Sequence, residues 1–285
     1  MRVVSTIRDM QRLADALRSQ GRRIGLVPTM GALHEGHLSL IQMARDLSDV
    51  VIVSVFVNPT QFVAGEDFET YPRDIEQDLL RIAEAGGEVV FTPTAEEMYP
   101  GGFSTYVEVE GVTEGLCGAS RPGHFRGVTT VVTKLFCATK PHVAVFGQKD
   151  AQQAAVIRRM TRDLNLDVEI SVASTVREPD GLAMSSRNAY LSPEERKDAR
   201  TLFQALELAR KMIEGGERSV DRIVASMRPL ISSRPHAQIE YVEVVDAEQL
   251  GPMEILRGKV LIALAVRIGR ARLIDNLMIE VQKMS

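Results

Sequence analysis

The sequence predicts an α/β protein in which a doubly wound parallel sheet is followed by a smaller α+β domain. Over roughly the first 176 residues, short apolar runs rich in β-branched side chains alternate with longer helical patterns. The run 50–57 is almost uninterrupted, which is typical of a strand covered on both faces. After Val176 helical patterns come first and strand patterns last. We therefore predict two domains, 1–176 and 177–285.

The elements of the first domain follow in chain order. Strands are predicted at 24–28, 50–57, 88–91, 142–146 and 168–173, and helices at 38–47, 68–85, 127–138 and 151–165. Strand and helix in alternation at this rhythm indicate a Rossmann-like sheet with helices on both faces.

The second domain begins with a strong helix signal. Ser192 is a good N-cap, Pro193 fits the first helical position, and Glu195 completes a capping box. This helix should run to about Ile213, and another should follow Ser219. Strands are predicted at 238–245, 260–266 and 272–279, and the polar, turn-rich segment 177–188 is the expected joint between the domains.

Composition excludes several classes of protein. The 285 residues are 45% hydrophobic and 25% charged, with a net charge of −4, so no global field attracts nucleic acid or an anionic membrane. Cys117 and Cys137 form no C-x-x-C pair, which argues against a disulfide framework and a cysteine-rich metal site. The first residues lack the apolar core of a signal peptide, and no apolar run approaches the roughly 20 residues of a membrane span. We expect a soluble, cytoplasmic protein without nucleic-acid or membrane partners.

The most informative stretch, P-T-M-G-A-L-H-E-G-H-L, lies between the first predicted strand and the next helix. In such folds this is the ligand-binding edge of the sheet, and a helix N-terminus there suits a phosphate. His34 and His37 are three apart and should project to the same side, with Gly36 leaving room for a ligand. Two imidazoles there can donate hydrogen bonds to charge that grows on a phosphate.

Two alternatives compete with this interpretation. The histidines could be a structural pair, or they could bind zinc. Zinc is disfavoured because the protease pattern requires histidines four apart on a regular helix, whereas here the spacing is three and Gly36 intervenes.

Several motifs together resemble one family. H-x-G-H is similar to the signature of nucleotidyltransferases and class I aminoacyl-tRNA synthetases. The longer string resembles the pantothenate synthetase (pantoate–β-alanine ligase) family, as do F-V-N-P-T-Q-F, Y-P-R, R-P-G-H-F, F-G-Q-K-D followed by Q-Q, and M-S-S-R-N, in the same order. Gln148 stands where this family more often has glutamate. The resemblance covers nearly the whole chain.

The resemblance implies an enzyme that uses ATP and Mg²⁺ to activate pantoate as pantoyl-adenylate, releasing pyrophosphate. β-Alanine then attacks the adenylate, so that pantothenate and AMP are formed. Phosphates would hold the magnesium ion, and no metal ligand of the protein is predicted. A homodimer is implied as well.

The resemblance also implies roles for individual residues. The predicted catalytic residues are His37 as general acid, His34 and Lys149. Predicted to bind ATP are Met30, Gly31, His34, His37, Gly147, Lys149, Asp150, Val176, Met184, Ser185, Ser186 and Arg187. Predicted to bind pantoate or β-alanine are Gln61, Gln153 and Asn58. Arg121 and His124 are weaker candidates for the wall of the site.

Two rival functions remain open at this stage. One is an adenylyltransferase on the same scaffold, which would transfer AMP to a phosphorylated acceptor. The other is a nucleotide-binding regulatory protein without turnover, which the presence of His34 and His37 together with Lys149 disfavours.

Overall fold

The computed structural model describes residues 1–63 and 65–281 and divides them into two compact units. The first unit contains Met1–Val109, Arg121–Gln148 and Gln153–Ser174. The second contains Glu110–Ser120, Lys149–Gln152 and the described residues from Thr175 onward. The predicted domains 1–176 and 177–285 stay a prediction, and their residues 64 and 282–285 lie outside the described part.

A parallel six-stranded sheet forms the centre of the first unit, in the order β1-β4-β3-β2-β5-β6. Its strands are β1 (Arg2–Val4), β2 (Ile24–Thr29), β3 (Val50–Val55), β4 (Val89–Phe91), β5 (Val143–Gly147) and β6 (Glu169–Ala173). From β2 to β4 the chain moves along the sheet in one direction, and from β5 to β6 it moves in the other. The direction therefore reverses between β2 and β5, as in a doubly wound fold.

Helices connect these strands. They are α1 (Ile7–Ser19), α2 (Glu35–Leu47), α3 (Ile75–Ala85), α4 (Ala95–Met98), α5 (Leu116–Ser120), α6 (His124–Thr139) and α7 (Ala151–Asp163). Of these, α5 and the first two residues of α7 belong to the second unit. Apolar side chains of α2 pack on β2, β3 and β5, where Ile41 and Val53 are fully buried. The predicted α/β class is confirmed, and the N-terminal β1 and α1 are elements that the sequence pattern did not reveal.

The helix predicted at 68–85 is wrong in its first turns, because α3 begins only at Ile75. Asp74 is the N-cap and accepts a hydrogen bond from the backbone N–H of Gln77. Pro72 disfavours helical backbone at the residue before it. The segment before the cap contributes Phe68 and Tyr71 to an aromatic cluster around Phe62, with ring centroids 5.2 and 6.0 Å from that ring.

The second unit contains an antiparallel sheet in the order β7-β8-β9, from β7 (Ala237–Asp246), β8 (Gly258–Ile268) and β9 (Ala271–Val281). The helices α8 (Pro193–Ala199), α9 (Thr201–Glu214) and α10 (Val220–Ser232) accompany it. Leu206, Ile223 and Ile262 belong to their common apolar core. The α+β prediction and the capping box at Ser192 and Glu195 are confirmed.

The single helix predicted from Ser192 to about Ile213 is instead divided at Arg200. Hydrogen bonds on both sides of this residue are long, at 3.4 and 3.2 Å. Asp198 accepts from His236 Nδ1 at 2.7 Å, and Thr201 Oγ1 accepts from Arg234 Nε at 3.0 Å. Contacts with a distant segment thus hold the junction where periodicity predicts a continuous helix.

Within the described ranges 1–63 and 65–281, no helix combines the length and the apolar character that crossing a membrane requires.

We predict that Gly127→Ala lowers the free energy of unfolding by about 1–3 kcal/mol. At Gly127, helix α6 packs against the turn Pro59–Gln61 and leaves no space for a side chain. A Cβ there would lie 2.5 Å from the Thr60 carbonyl carbon and 2.7 Å from Gln61 Cα, both backbone atoms. Urea denaturation measures the change. Gly101→Ala is the matched control, since a Cβ at Gly101 meets nothing within 4 Å. Equal stability of both variants would contradict the close packing of α6 on this turn.

Candidate active site

Three neighbouring strands carry the predicted site residues of the first unit at their carboxyl ends. β2 leads into Met30 and Gly31, β3 leads to Asn58, and β5 ends at Gly147. Because the strands are parallel and adjacent in the order β3-β2-β5, these ends meet at one edge of the sheet. This edge includes the point where the strand order reverses, which is where such sheets bind ligands.

Two side chains of α3 hold the loop after β2. Asp78, only 3% exposed, accepts hydrogen bonds from the backbone N–H groups of Ala32 (3.0 Å) and Leu33 (2.8 Å). Arg81 donates to the Leu33 carbonyl at 2.7 Å. Gly31 has φ +85°, and a Cβ there would lie 2.8 Å from Asp78 Oδ2. No pattern in the sequence indicates this role of Asp78, because an acidic residue in the first turn of a helix is explained equally well by a favourable contact with the helix dipole.

The two histidines form the capping box of α2. The N-cap residue is His34, whose Nδ1 accepts from the Gly36 backbone N–H at 3.2 Å. His37 Nδ1 accepts from the His34 backbone N–H at 3.3 Å. The ring centroids are 4.1 Å apart, which confirms that both side chains lie on the same side of the first turn.

This capping determines which nitrogen carries the proton. A ring nitrogen that accepts a hydrogen bond from a backbone N–H holds no proton of its own. In the neutral ring of His34 and of His37 the proton is therefore on Nε2. Each ring can thus donate from Nε2 while Nδ1 stabilises the start of the helix.

The turn after β3 is organised by one buried amide. Asn58 is 1% exposed, and its Oδ1 accepts from Thr60 Oγ1 (2.9 Å) and the Tyr99 hydroxyl (2.8 Å). Its Nδ2 donates to Gln61 Oε1 at 3.0 Å and to the Gly127 carbonyl at 3.2 Å. The Gln61 amide nitrogen lies 3.1 Å from Met30 Sδ, so this side chain reaches the loop after β2.

A charged network holds the backbone of Gln61 from the other side. His124 Nδ1 donates to the Gln61 carbonyl at 2.7 Å, and Arg121 Nη1 donates to His124 Nε2 at 2.9 Å. Arg121 also forms a bidentate pair with Glu66, at 2.6 and 2.7 Å. Burial alone would raise the pKa of the Glu66 carboxyl, but hydrogen bonds and charge from Arg121 outweigh burial and hold this pKa below its usual range.

The other predicted residues of the first unit are Gly147 and Gln153. A Cβ at Gly147 would lie 3.9 Å from Leu40 Cδ2, so the end of β5 faces α2. Gln153 is partly buried near the start of α7. The neighbouring Gln152 belongs to the second unit, where its amide accepts from Cys117 N–H (2.9 Å) and donates to Val112 O (3.0 Å).

In the second unit, Lys149 and Asp150 lie in the 3-10 turn Gln148–Asp150, whose first residue, Gln148, belongs to the first unit. Lys149 Nζ is 3.7 Å from Asp150 Oδ2, and the lysine side chain is 23% exposed. The lysine side chain therefore stays partly accessible beside this ion pair. We call the two residues Lys149 and Asp150 the lysine loop.

Val176 and Met184 are brought together by a short hairpin. The Met184 N–H donates to the Val176 carbonyl at 3.0 Å, and Arg177 pairs with Ala183 in an antiparallel bridge. We call residues 176–184 the Val176 hairpin. Ser185 then caps the 3-10 helix Ser186–Tyr190, its hydroxyl accepting from the Arg187 N–H at 3.3 Å. The hairpin and the 3-10 helix that follows it thus bring together five predicted residues, namely Val176, Met184, Ser185, Ser186 and Arg187.

No group of three or more His, Cys, Asp or Glu side chains within residues 1–63 and 65–281 is arranged to hold a metal ion.

An open α/β sheet with a histidine-capped helix at its reversal point defines a nucleotide-binding type of protein. A sequence model of the pantoate–β-alanine ligase family matches residues 2–278. The chain belongs to this family, and the prediction that it is an enzyme is confirmed.

Individual relatives agree over nearly full length. The chain is 58% identical to a pantothenate synthetase of Heliobacterium modesticaldum, with 99% of this chain and 100% of the relative covered. A crystal structure of pantothenate synthetase from Thermus thermophilus superposes with a TM-score of 0.93 at 46% identity, covering 99% of this chain and 100% of that one. A Francisella tularensis pantoate–β-alanine ligase complexed with β-γ ATP and β-alanine has a TM-score of 0.79 at 34% identity, covering 98% and 97%.

The Glu66–Arg121 pair should make stability depend on pH. Because the folded-state pKa of Glu66 is lowered, the pair stabilises fully above the unfolded value of about 4.3 and is lost as pH falls through the folded value. We expect Glu66→Gln to lower the free energy of unfolding by about 1–3 kcal/mol at pH 7, and by much less near pH 3.

Urea denaturation at both pH values measures this difference. Glu69→Gln, an exposed position in the same segment, is the control and should change little at either pH. A Glu66→Gln effect of the same size at both pH values would show that charge is not the cause.

Proposed function

We propose that this chain joins pantoate to β-alanine in an ATP-dependent reaction that passes through pantoyl-adenylate. The observation that carries the proposal is the capping box of α2, since His34 and His37 present Nε2 donors at a helix N-terminus beside the sheet's reversal point. Anionic phosphate is favoured there by the helix dipole. Family membership supplies the identity of the reaction.

In the first half-reaction a pantoate carboxylate oxygen attacks the α-phosphorus of ATP, and the bond to the pyrophosphate oxygen breaks. Negative charge grows on the phosphate oxygens and the leaving group. His34 and His37 donate hydrogen bonds from Nε2 to that charge. His37 is the proposed general acid, a role that requires its ring to be protonated on both nitrogens and Nδ1 to release the His34 N–H. Lys149 supplies a positive charge for the phosphates.

In the second half-reaction the deprotonated β-alanine amine attacks the acyl carbon of pantoyl-adenylate. The amide bond of pantothenate forms as the bond to AMP breaks. Pantoate presents hydroxyls beside its carboxylate, and the amides of Gln61 and Gln153 are proposed to bind them.

For Asn58 we propose a positioning role, since its amide is buried and holds Gln61. The predicted contact of Asn58 with β-alanine stays a prediction.

The remaining ATP contacts are proposed for two segments of the second unit and for the loop after β2. Met30, Gly31 and Gly147 are proposed to contact the nucleotide through their backbones, Asp150 to bind ribose, and the Val176 backbone to bind adenine. The loop of Met184, Ser185, Ser186 and Arg187 is proposed to contact the phosphates. Magnesium is proposed to enter as the ATP complex, which neutralises part of the phosphate charge.

We also propose a homodimer and a cytoplasmic location, without nucleic-acid or membrane partners. The dimer rests on the family resemblance alone, and light scattering of the purified protein tests it. The location is supported by the near-neutral net charge and the free thiols of Cys117 and Cys137.

Pantoate and Mg-ATP together should support exchange of labelled pyrophosphate into ATP without β-alanine, because the first half-reaction is complete by itself. Addition of β-alanine should then release AMP. Exchange with a phosphorylated acceptor in place of pantoate would indicate an adenylyltransferase. A requirement for the amine during exchange would mean that the reaction is concerted and that no adenylate forms.

His37→Asn should fold and bind ATP but form adenylate about 10²–10³-fold more slowly, because asparagine lacks a group that transfers protons near neutral pH. An asparagine oxygen can replace Nδ1 as backbone acceptor, so the start of α2 should survive. Single-turnover adenylate formation across pH is the measurement, with His34→Asn as the matched variant. A near-normal rate of adenylate formation in His37→Asn would show that His37 is not the general acid.

Gln61→Ala and Gln153→Ala should each weaken pantoate binding by about 1–3 kcal/mol, because lost amides leave polar groups unpaired. ATP binding should remain close to wild type. Isothermal titration with each ligand separates these effects, and Gln77→Ala, an exposed glutamine of α3, is the control. If both affinities fall equally, these glutamines support the fold rather than pantoate.

A further inference from the structure

Strand β9 carries two consecutive buried polar residues, Asp275 and Asn276, which are 3% and 5% exposed. Burying a polar group costs free energy unless hydrogen bonds replace those made with water. Successive residues of a strand point to opposite faces, so this pair can reach two different segments. Asn276 contacts the segment around Lys149, and Asp275 contacts the segment around Val176.

Asn276 contacts the lysine loop. Its Nδ2 donates to the backbone carbonyl of Lys149 at 2.9 Å. Its backbone N–H donates to Asp275 Oδ1 at 2.8 Å, which gives the buried carboxylate a further hydrogen bond. The position of this carbonyl limits where the Lys149 side chain can go.

Asp275 contacts the Val176 hairpin. The Arg177 guanidinium donates to both carboxylate oxygens, at 2.6 and 2.9 Å. Arg177 also donates to the Gly181 carbonyl at 3.1 Å and lies over the Phe203 ring, 4.4 Å from its centroid. The residue directly after Val176 is therefore held on three sides.

Stability alone does not account for this arrangement. Burial raises the pKa of the Asp275 carboxyl, although Arg177 acts in the opposite direction. The folded-state pKa of Asp275 is therefore above the unfolded one. The protein loses stability as pH rises from the unfolded pKa to the folded pKa, because the carboxyl becomes charged more readily in the unfolded chain. Well-packed apolar residues commonly replace a buried ion pair without loss of stability.

We propose that Asp275 and Asn276 are positioning residues for ATP, with Asn276 orienting the lysine loop and Asp275 orienting the Val176 hairpin. This rests on the proposed function, in which Lys149 serves the phosphates and Val176 the adenine. The segments that contact the two ends of the nucleotide are then both held by adjacent residues of strand β9. A rigid strand supplies the geometric precision that two separate loops lack.

The first test is Asn276→Leu, which keeps the side-chain volume and removes the donor to Lys149. We expect kcat/KM for ATP to fall about 10- to 100-fold while KM for pantoate stays near wild type. Asp275→Asn should raise KM for ATP with the same selectivity, because it removes the charge that holds Arg177. The Tm of each variant is measured alongside.

A matched control lies in the same sheet. Glu240 and Arg272 form a partly buried ion pair between β7 and β9, with Nε and Oε2 2.8 Å apart. Glu240 accepts hydrogen bonds from Arg267 and Arg272, and both of these residues lie outside the lysine loop and the Val176 hairpin. Glu240→Gln should therefore leave KM for both substrates unchanged, which separates loss of a sheet ion pair from loss of positioning.

A double-mutant cycle with Lys149→Ala decides whether Asn276 acts through the lysine. If it does, Asn276→Leu has little further effect on kcat once the lysine side chain is absent. Additive losses, or parallel increases in KM for both substrates, would overturn the proposal. If the wild-type protein forms no pantothenate, the proposed function itself is wrong. That outcome differs from every outcome that would overturn only the positioning role of Asp275 and Asn276.

Discussion

The reversal of strand order between β2 and β5 is the constraint on which the rest of the site depends. Parallel strands on each side of the reversal send their following helices to opposite faces, so the sheet edge at this point is left open. β2, β5 and the adjacent β3 all end at this edge. The free N–H groups of α2 and the turn containing Gln61 are positioned there by the topology.

Within that frame, polar side chains serve two purposes at once. Nδ1 of His34 and of His37 accepts from the backbone at the start of α2, which leaves the proton on Nε2, so the requirement for a helix cap also prepares two hydrogen-bond donors. Behind them, Asp78 holds the loop after β2, and Asn58 and His124 hold Gln61 from opposite sides. Each buried group has costs in stability that are offset by hydrogen bonds to the segment it orients.

Much of this protein could be read from its sequence. The alternation of apolar strands and amphipathic helices determined the fold class, because each pattern reflects the geometry of a single element. Ser192 with Glu195 predicted a helix start correctly, since a capping box is a local interaction. The glycine-containing segment with His34 and His37 indicated the site for the same reason.

Only the tertiary structure decided what holds these residues in place. Asp78 lies 46 residues from the backbone it binds, Glu66 lies 55 from Arg121, and Asn276 lies 127 from Lys149. Such contacts leave no periodic signal in a single sequence, because they depend on how elements pack. The same reason explains the division of the predicted helix at Arg200. The sequence by itself determined which chemical groups are present and which elements carry them, whereas packing decided their orientation and partners.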